Sequence, residues 1–161
     1  MRYYISDLHF FHESLNTQMD CRGFKDAAQM NAYMIKGNHD SYLKDSEFNK
    51  ERFVWIKPYA EMHDNRRKVV LSHYPIFCYN GQYRRNKKGE PLTYMLYGHV
   101  HDTMDEQLVR QFCQITRETK RQSKYDEEPM PIPCNMINCF CMYSDYVPLT
   151  LDEWIDYYLI H

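Results

Sequence analysis

Four short blocks of the sequence combine histidine with aspartate, asparagine, serine or a second histidine. They are Asp7-Leu8-His9, Gly37-Asn38-His39-Asp40, Ser72-His73-Tyr74 and Gly98-His99-Val100-His101. Imidazole nitrogens together with carboxylate and amide oxygens form donor sets that suit Mn, Fe, Zn, Ni or Co. Each block alone is compatible with an ordinary structural role, such as a loop cap or a hydrogen-bonded histidine. Their combination in this order predicts a site for divalent metal ions.

A short strand-like stretch precedes each of these blocks. The stretches are residues 2–6, 34–36, 68–72 and 93–97. Sites in α/β sheets lie beyond the carboxyl ends of strands, so the four blocks are expected to meet in one pocket. Because alternate residues of an extended chain point the same way, Asp7 and His9 are expected to reach one point. His99 and His101 are expected to do the same.

The rest of the chain alternates between helical and strand-like patterns. The predicted elements are a helix at residues 24–33, strands at 53–61 and 135–143, an exposed basic loop at 79–91 and a mobile charged segment at 117–131. Near the end of the chain, Thr150 as N-cap and Glu153 three residues later predict a helix with a capping box. This order indicates an α/β or α+β fold, and we favour α/β, with residues 1–161 as a single domain.

Composition and charge argue against several classes of protein. The chain has 161 residues, 20 Lys and Arg, 22 Asp and Glu, and a formal net charge of −2. This balance argues against a dedicated nucleic-acid surface. No apolar run approaches the ~20 residues that span a bilayer, and the first residues lack the apolar core of a signal peptide. We therefore expect a cytoplasmic protein with no membrane partner.

Six cysteines are spread through the chain, and Cys134, Cys139 and Cys141 form a cluster. Without an export signal, the expected state of these residues is the reduced thiol. No C-x-x-C pair occurs in the sequence, whereas structural zinc sites usually contain such pairs. A cysteine-based zinc protein is therefore a hypothesis that the spacing disfavours.

The four blocks resemble the calcineurin-like metallophosphoesterase family. The pattern of that family is D-x-H, G-D, G-N-H-D/E, a lone H and G-H-x-H. The flanking stretches YYISDLHFFHESL, VVLSHYPI, LYGHVHD and DYVPLTLDEWI fit as well, so the resemblance covers nearly the whole chain. It is strongest to small bacterial and phage-type members described as phosphodiesterases or phosphomonoesterases. It implies a sandwich of two mixed β-sheets flanked by helices.

The resemblance also implies a role for each residue of the blocks. The implied metal ligands are Asp7, His9 and His101 for a first ion, and Asn38, His73 and His99 for a second. Manganese is the favoured metal, with Fe, Zn, Ni or Co as alternatives. A metal-activated hydroxide would attack the phosphorus of a small phosphomonoester or phosphodiester. His39 would be the general acid that protonates the leaving oxygen, a role that suits an imidazole with a pKa near ~6.5.

The sequence departs from the family pattern at the G-D block, since it contains no Gly-Asp dipeptide. In the family that aspartate bridges the two metals. Only 27 residues, from Phe10 to Lys36, separate the first two blocks of this chain. Two β-α-β steps of roughly 30 residues each would be needed there, so one strand–helix unit is expected to be missing. Without a bridging charge, one tightly bound ion is favoured over two, because close cations repel.

Three explanations are compatible with this gap. The sequence lacks a segment of a longer protein, or a natural deletion has left a weakened or inactive site, or Asp20 or Asp26 replaces the bridge. The last explanation is the least favoured, because Asp26 lies in the predicted helix and Asp20 in a loop. The main alternative to a phosphoesterase is accordingly a degenerate, non-catalytic family member. Such a protein would bind metal or a phosphate ligand without turnover.

Other features leave the substrate and the assembly state open. Arg84, Arg85, Lys87 and Lys88 lie between the third and fourth blocks. They could contact a substrate phosphate, but a solvated run of charges is favoured. The expected partner is a small phosphoester. The loss of a strand would leave an exposed sheet edge, which could recruit a second copy of the chain.

Overall fold

The computed structural model describes residues 1–7, 32–122, 124, 127–131 and 133–160. Within these residues the strands are β1 (Tyr3–Tyr4), β2 (Ala32–Ile35), β3 (Phe53–Lys57), β4 (Tyr59–Asp64), β5 (Arg67–Ser72), β6 (Thr93–Tyr97), β7 (Lys120–Arg121), β8 (Met130–Pro131), β9 (Met136–Asn138) and β10 (Leu149–Thr150). The helices are α1 (Met104–Glu118) and α2 (Leu151–Ile160). Short 3-10 helices lie at Ser41–Lys44, Lys50–Arg52 and Cys141–Ser144.

The largest sheet has four strands in the order β4-β5-β6-β9. Strand β4 pairs with β5 in antiparallel fashion, while β5, β6 and β9 run parallel to one another. All five residues of β6 are buried. This fits a central parallel strand, because helices cover both faces of such a strand and its sequence becomes continuously apolar. The parallel strands therefore deliver their carboxyl ends to the same edge of the sheet.

Two apolar cores lie on opposite faces of this sheet. Val70 and Met95 belong to the core that includes Val109 of α1. The neighbouring residues Val69 and Leu96 belong to the core that includes Trp154 of α2. Because successive residues of a strand point to opposite faces, α1 and α2 must cover different sides of the sheet. The fold is thus a mixed α/β arrangement, in agreement with the class expected from the sequence.

The shorter strands form three separate pairs, β1 with β10, β2 with β3, and β7 with β8. Strand β1 is fixed to the α2 side, where the Trp154 Nε1–H donates to the Tyr4 carbonyl at 2.9 Å. Just beyond β1, Ser6 forms a parallel bridge with Phe140. This bridge brings the chain after β1 alongside the chain after β9. Asp7, the first residue of the first predicted block, therefore follows a segment that is anchored beside the large sheet.

Several predicted elements are confirmed. Strand β6 has the predicted bounds, and β5 begins one residue before its predicted start. The capping box is present, since the Thr150 N–H donates to Glu153 Oε2 at 2.7 Å and the Glu153 N–H donates to Thr150 Oγ1 at 3.3 Å. Reciprocal bonds of this kind satisfy two backbone donors at the start of a helix.

Other predicted elements are wrong or incomplete. The strand expected at residues 53–61 is divided into β3 and β4 at Pro58, because proline has no N–H to give to a sheet. The strand expected at residues 135–143 is limited to β9, and a 3-10 helix follows. The helix expected at residues 24–33 lies almost entirely outside the described residues, and its last two positions belong to β2.

Helix α1 was not predicted, although it covers 15 residues. The segment at 117–131, expected to be a mobile surface, contains the end of α1 and the paired strands β7 and β8. Among the described residues, neither helix combines the length and the apolar character needed to cross a membrane.

Candidate metal centre

The four predicted blocks follow four strands, and the structure brings most of them together. Asp7 follows β1, residues 37–40 follow β2, His73 follows β5 directly, and residues 98–101 follow β6. The predicted ligands that lie in contact are Asp7, Asn38, His73, His99 and His101. His9, the sixth predicted ligand, lies outside the described residues, as do Asp20 and Asp26, the two candidates for a replacement of the bridge. The convergence joins residues that lie up to 94 positions apart in the sequence, from Asp7 to His101.

Asp7 supplies a buried negative charge at the centre of this cluster. Its side chain is 2% exposed. The His99 backbone N–H lies 3.0 Å from each carboxylate oxygen, and the Ser6 hydroxyl donates to Oδ2 at 2.8 Å. Asp7 Oδ1 also lies 3.6 Å from His101 Nε2 and 3.9 Å from His73 Nδ1. A carboxylate is this deeply buried only when donors or cations compensate its charge.

A second group of donors consists of Asn38, His73 and His99. The Asn38 Oδ1 atom lies 2.6 Å from His73 Nε2 and 3.2 Å from His99 Nδ1. The two nitrogen atoms are 3.2 Å from each other. Ligands at right angles around one ion, with bonds of ~2.1 Å, would lie about 3 Å apart. The three atoms therefore have the spacing and the chemistry of adjacent ligands of a divalent ion.

His73 connects the two groups through its two ring nitrogens. Its Nδ1 atom faces Asp7 and its Nε2 atom faces Asn38. Burial lowers the pKa of His73, although the charge of Asp7 opposes that change. The neutral ring is thus favoured at this position, and it is the neutral form of imidazole that binds metal ions.

Three residues of the site have a left-handed backbone conformation. The φ angles are +55° at Asp7, +71° at His99 and +50° at His101. Such angles cost about 1–3 kcal/mol for residues other than glycine and occur preferentially at functional sites. The expectation that an extended chain would align His99 with His101 is wrong. Their rings are aimed by a turn, and they have different partners, Asn38 and His73 for His99 and Asp7 for His101.

Two glycines are required by close packing within the site. A Cβ atom at Gly37 would lie 2.9 Å from the His73 ring, and a Cβ atom at Gly98 would overlap Asp7 Oδ2 and lie 2.6 Å from Ser6 Oγ. Real Cβ atoms do not approach other atoms so closely. The glycines of the G-N-H-D and G-H-x-H blocks therefore allow backbone to pass directly against two of the candidate ligands.

His39, the predicted general acid, lies in the turn after β2 and is exposed. This turn is stabilised by Asp40, whose Oδ2 atom accepts the Gly37 N–H at 2.6 Å. The charges of both His39 and Asp40 act on His73. His39 is therefore a solvent-accessible imidazole close to the candidate ligands.

The basic loop between the third and fourth blocks lies at the opposite end of the sheet. The Leu92 carbonyl accepts the Lys68 N–H at 2.8 Å, next to the first residues of β5 and β6. Within this loop the Arg84 carbonyl accepts the Leu92 N–H at 2.9 Å. The site lies beyond the last residues of the same two strands. Arg84, Arg85, Lys87 and Lys88 thus lie away from the candidate ligands, and the solvated interpretation is the better one.

Two aromatic residues that were not predicted as metal ligands also shape the site. The Phe140 ring lies parallel to the His101 ring, with centroids 4.7 Å apart. The Tyr74 ring meets the His99 ring at a centroid distance of 4.4 Å. Tyr74 adjoins a predicted ligand, which is a signal that could have been used. Phe140 has no such signal, because tertiary contacts such as the bridge with Ser6 bring it to the site.

The cysteine cluster does not form a comparable centre. Cys134 belongs to the core on the α1 face, whereas Cys139 belongs to the core on the α2 face. The sheet therefore separates these two thiols. All five cysteines in the described part of the chain are free thiols.

The donor set at the strand ends fits a divalent metal in its chemistry. Across the described ranges, no group of three or more His, Cys, Asp or Glu side chains is arranged to hold an ion by itself. The close triad of Asn38, His73 and His99 includes an amide oxygen, and the other contact pairs Asp7 with His101. Imidazole nitrogen with carboxylate and amide oxygen suits ions of intermediate hardness. The residues that fit such an ion are thus these five side chains.

Comparisons with known proteins add no relative. No family model, no curated protein and no solved structure matches this chain.

Proposed function

We propose that this protein is a metal-dependent phosphoesterase of the calcineurin-like type, with the two-sheet fold of that family lacking one strand–helix unit. The observation that carries the proposal is the convergence of five candidate ligands from four strand ends. Four of these ligands are histidine or asparagine, which are neutral when they bind. The site therefore retains the positive charge of a bound cation and would attract an anionic phosphoester.

The ligands divide into two sets. Asn38, His73 and His99 would hold one ion, and Asp7 with His101 would contribute to a second. A divalent ion supplies, when bound, Lewis acidity that polarises a phosphate and lowers the pKa of nearby water. The burial that lowers the His73 pKa keeps this ring in its ligating form. Manganese, iron, zinc, nickel and cobalt all suit this donor set.

His39 is assigned the proton transfer. Hydrolysis adds water at phosphorus and breaks the bond to the leaving oxygen, which must then gain a proton. The His39 ring is exposed in the turn that carries Asn38, so a substrate can reach both residues. General acid catalysis contributes typically ~10²–10⁴-fold to a rate. A protonated His39 would donate its proton to the leaving oxygen and regain one from solvent.

A non-catalytic metal- or phosphate-binding protein is the second candidate. The observation in its favour is the absence of a Gly-Asp dipeptide from the sequence. Near Asn38, the neighbouring carboxylate Asp40 is engaged by the Gly37 N–H. Without a bridging carboxylate, two close ions would be less well compensated. The protein would then bind one ion and not turn over.

The test uses two phosphodiesters that differ only in the leaving group. Methyl 4-nitrophenyl phosphate and methyl phenyl phosphate are incubated with the protein and Mn²⁺, and Mn²⁺ binding is measured in parallel by calorimetry. The His39→Ala variant is expected to lose ~10²-fold or more on the phenyl ester. It should lose much less on the nitrophenyl ester, whose leaving group departs without a proton. His63→Ala, at an exposed histidine of β4, is the matched control.

Each outcome bears on the role of His39 or on the two candidate functions. Equal losses on both esters would contradict the role of His39. Binding of Mn²⁺ without hydrolysis of either ester would favour the non-catalytic protein. Failure to bind any of the candidate metals would overturn both.

A further inference from the structure

Asn138, at the end of β9, is a fully buried amide whose polar groups are all engaged. Its exposed fraction is 0%. Its Nδ2 amide donates to the His101 carbonyl at 2.9 Å and to Glu106 Oε2 at 3.1 Å. Its Oδ1 atom accepts the Phe140 N–H at 3.2 Å. A buried amide with this many bonds has one defined orientation.

Glu106 of α1 determines that orientation. This carboxylate is 2% exposed. It accepts bonds from the Tyr97 hydroxyl at 2.7 Å and from Arg110 Nε at 2.9 Å. A carboxylate can only accept, so the neighbouring Asn138 must turn its NH₂ group towards Glu106. The Asn138 oxygen is then directed to the Phe140 N–H.

Both the backbone and the ring of His101 depend on the Asn138 amide. The His101 backbone has a φ angle of +50°, a conformation that is costly unless its surroundings enforce it. The carbonyl that follows this angle is the one bonded to Asn138. The His101 ring lies against Phe140 at an interplanar angle of 11°, and the Phe140 backbone is bonded to the other side of Asn138.

We infer that Asn138 is a positioning residue that aims the His101 imidazole at Asp7. The ring atom that faces Asp7 is His101 Nε2, which lies 3.6 Å from Asp7 Oδ1. Asn138 itself would touch neither metal nor substrate. The consequence for metal binding rests on the proposed function, whereas the orientation of His101 does not.

The Asn138→Asp substitution tests this role with almost no change in volume. It keeps an oxygen to accept the Phe140 N–H and replaces the NH₂ donor by a second oxygen. That oxygen would face the His101 carbonyl and Glu106, which are both acceptors. The His101 peptide is expected to rotate away, and its ring should leave the Phe140 ring. Loss of a residue that orients a ligand typically weakens metal binding by ~10–100-fold.

The experiment has one readout without metal and one with it. Without metal, the ring protons of His101 are observed by NMR, since stacking on Phe140 produces an upfield ring-current shift and cross-relaxation between the rings. With metal, Mn²⁺ affinity is measured by calorimetry. Asn138→Ala is a second variant. Thr93→Val is the control, because Thr93 is a buried polar residue at the far end of β6 whose hydroxyl has no partner among the described residues.

The expected result is that wild type and Thr93→Val show the shifted His101 lines and both Asn138 variants lose them. Mn²⁺ affinity should fall ~10–100-fold in the Asn138 variants alone. Unshifted lines in wild type, or unchanged lines in a folded Asn138 variant, would overturn the inference. Unfolding of both variants would overturn it as well, because Asn138 would then be a core residue only. If wild type binds no Mn²⁺ but its His101 lines respond as expected, the proposed function fails and the positioning role stands.

Discussion

Gly37 shows how closely the backbone and the candidate ligand side chains are packed at the site. The glycine lies directly against the His73 ring, whose Nε2 atom faces Asn38. The Gly37 N–H also fixes the turn through Asp40. The position of His73 therefore depends on a residue that has no functional group of its own.

We expect the Gly37→Ala substitution to displace His73 and weaken metal binding by ~10-fold or more, as the loss of a ligand's orientation usually does. The added methyl group would lie 2.9–3.1 Å from three atoms of the ring. Calorimetry with Mn²⁺ measures the effect. Gly89→Ala is the control, because Gly89 has a φ of +83° but nothing within 4 Å of its added methyl group. A variant at Gly37 that binds as tightly as wild type would contradict this account.

The candidate ligands could be selected from the sequence, but the residues that hold them in place could not. Asp7, Asn38, His73, His99 and His101 stand out because histidine and polar residues follow short apolar stretches. Asn138 lies in a buried strand, where a single asparagine has no distinctive pattern. The left-handed backbone angles could not be predicted from the sequence either, because their energetic cost is offset by tertiary hydrogen bonds, such as that from the His99 N–H to Asp7.

At the scale of elements, β1 is a strand of two residues that relies on α2 for its position. The Tyr4 carbonyl accepts the indole N–H of Trp154, a side chain that is 0% exposed. Three residues after Tyr4 the chain reaches Asp7. Helix α2 thus anchors the strand that delivers the buried carboxylate.

The Trp154→Phe substitution is expected to lower the free energy of unfolding by about 1–3 kcal/mol, since it leaves a cavity and a buried carbonyl without its donor. Urea denaturation measures this change. Trp55→Phe is a suitable control, because Trp55 lies in the two-stranded β2–β3 pair and is only partly buried. A larger loss at Trp55 than at Trp154 would argue against the anchoring role.

The β4–β5 pair contains an ion pair that makes stability depend on pH. The Lys68 ammonium contacts the Glu61 carboxylate, which also accepts bonds from Tyr59 Oη at 2.6 Å and Asn80 Nδ2 at 3.0 Å. The Lys68 bond, followed by that of Tyr59, lowers the pKa of Glu61 below its ordinary value of 4.5. The stabilisation is therefore fully present above that value and is lost as the pH falls through the lowered pKa.

We expect the unfolding free energy of wild type to fall more steeply than that of Glu61→Gln between about pH 5 and pH 3. Denaturant titrations at several pH values measure the two slopes, and Glu128→Gln at an exposed position serves as the control. Parallel slopes for wild type and Glu61→Gln would show that the ion pair contributes no pH dependence.

The predicted elements are correct where the signal is local, and helix α1, which was missed, buries residues that are not the most apolar ones of its sequence. The capping box of α2 and the apolar run of β6 are local signals. Helix α1 buries Glu106, Val109 and Cys113 but exposes Met104, Leu108 and Ile115. The buried face of this helix therefore coincides only in part with its apolar residues, and the buried glutamate is explained only by its tertiary bonds.

At the scale of the whole molecule, the large sheet separates two ends with different properties. The candidate ligands follow the last residues of β5 and β6, and the turn around Gly89 extends from their first residues. This turn is closed by local bonds, such as that from the Gly89 N–H to the Asn86 carbonyl at 3.0 Å. Changes at one end should therefore have little effect at the other.

A flexible Gly-Ser segment inserted between Lys88 and Gly89 is expected to lower the free energy of unfolding by less than about 1 kcal/mol, because the entropy of loop closure depends only weakly on loop length. Mn²⁺ affinity should not change. The same segment between Gly98 and His99 should abolish binding, because the His99 N–H would lose its place against Asp7. Similar losses at the two positions would contradict the separation of the two ends.

The turn at Gly89 also divides the candidate ligands between two stretches of polypeptide. A cut there would leave Asp7, Asn38 and His73 on one fragment, and His99 and His101 on the other. Strands β5 and β6 are adjacent partners from Lys68↔Thr93 to Leu71↔Leu96, so the fragments carry complementary edges of one sheet. Metal binding would then require the two fragments to associate. The affinity of the cleaved protein for the metal ion would therefore measure how well the fragments reassemble.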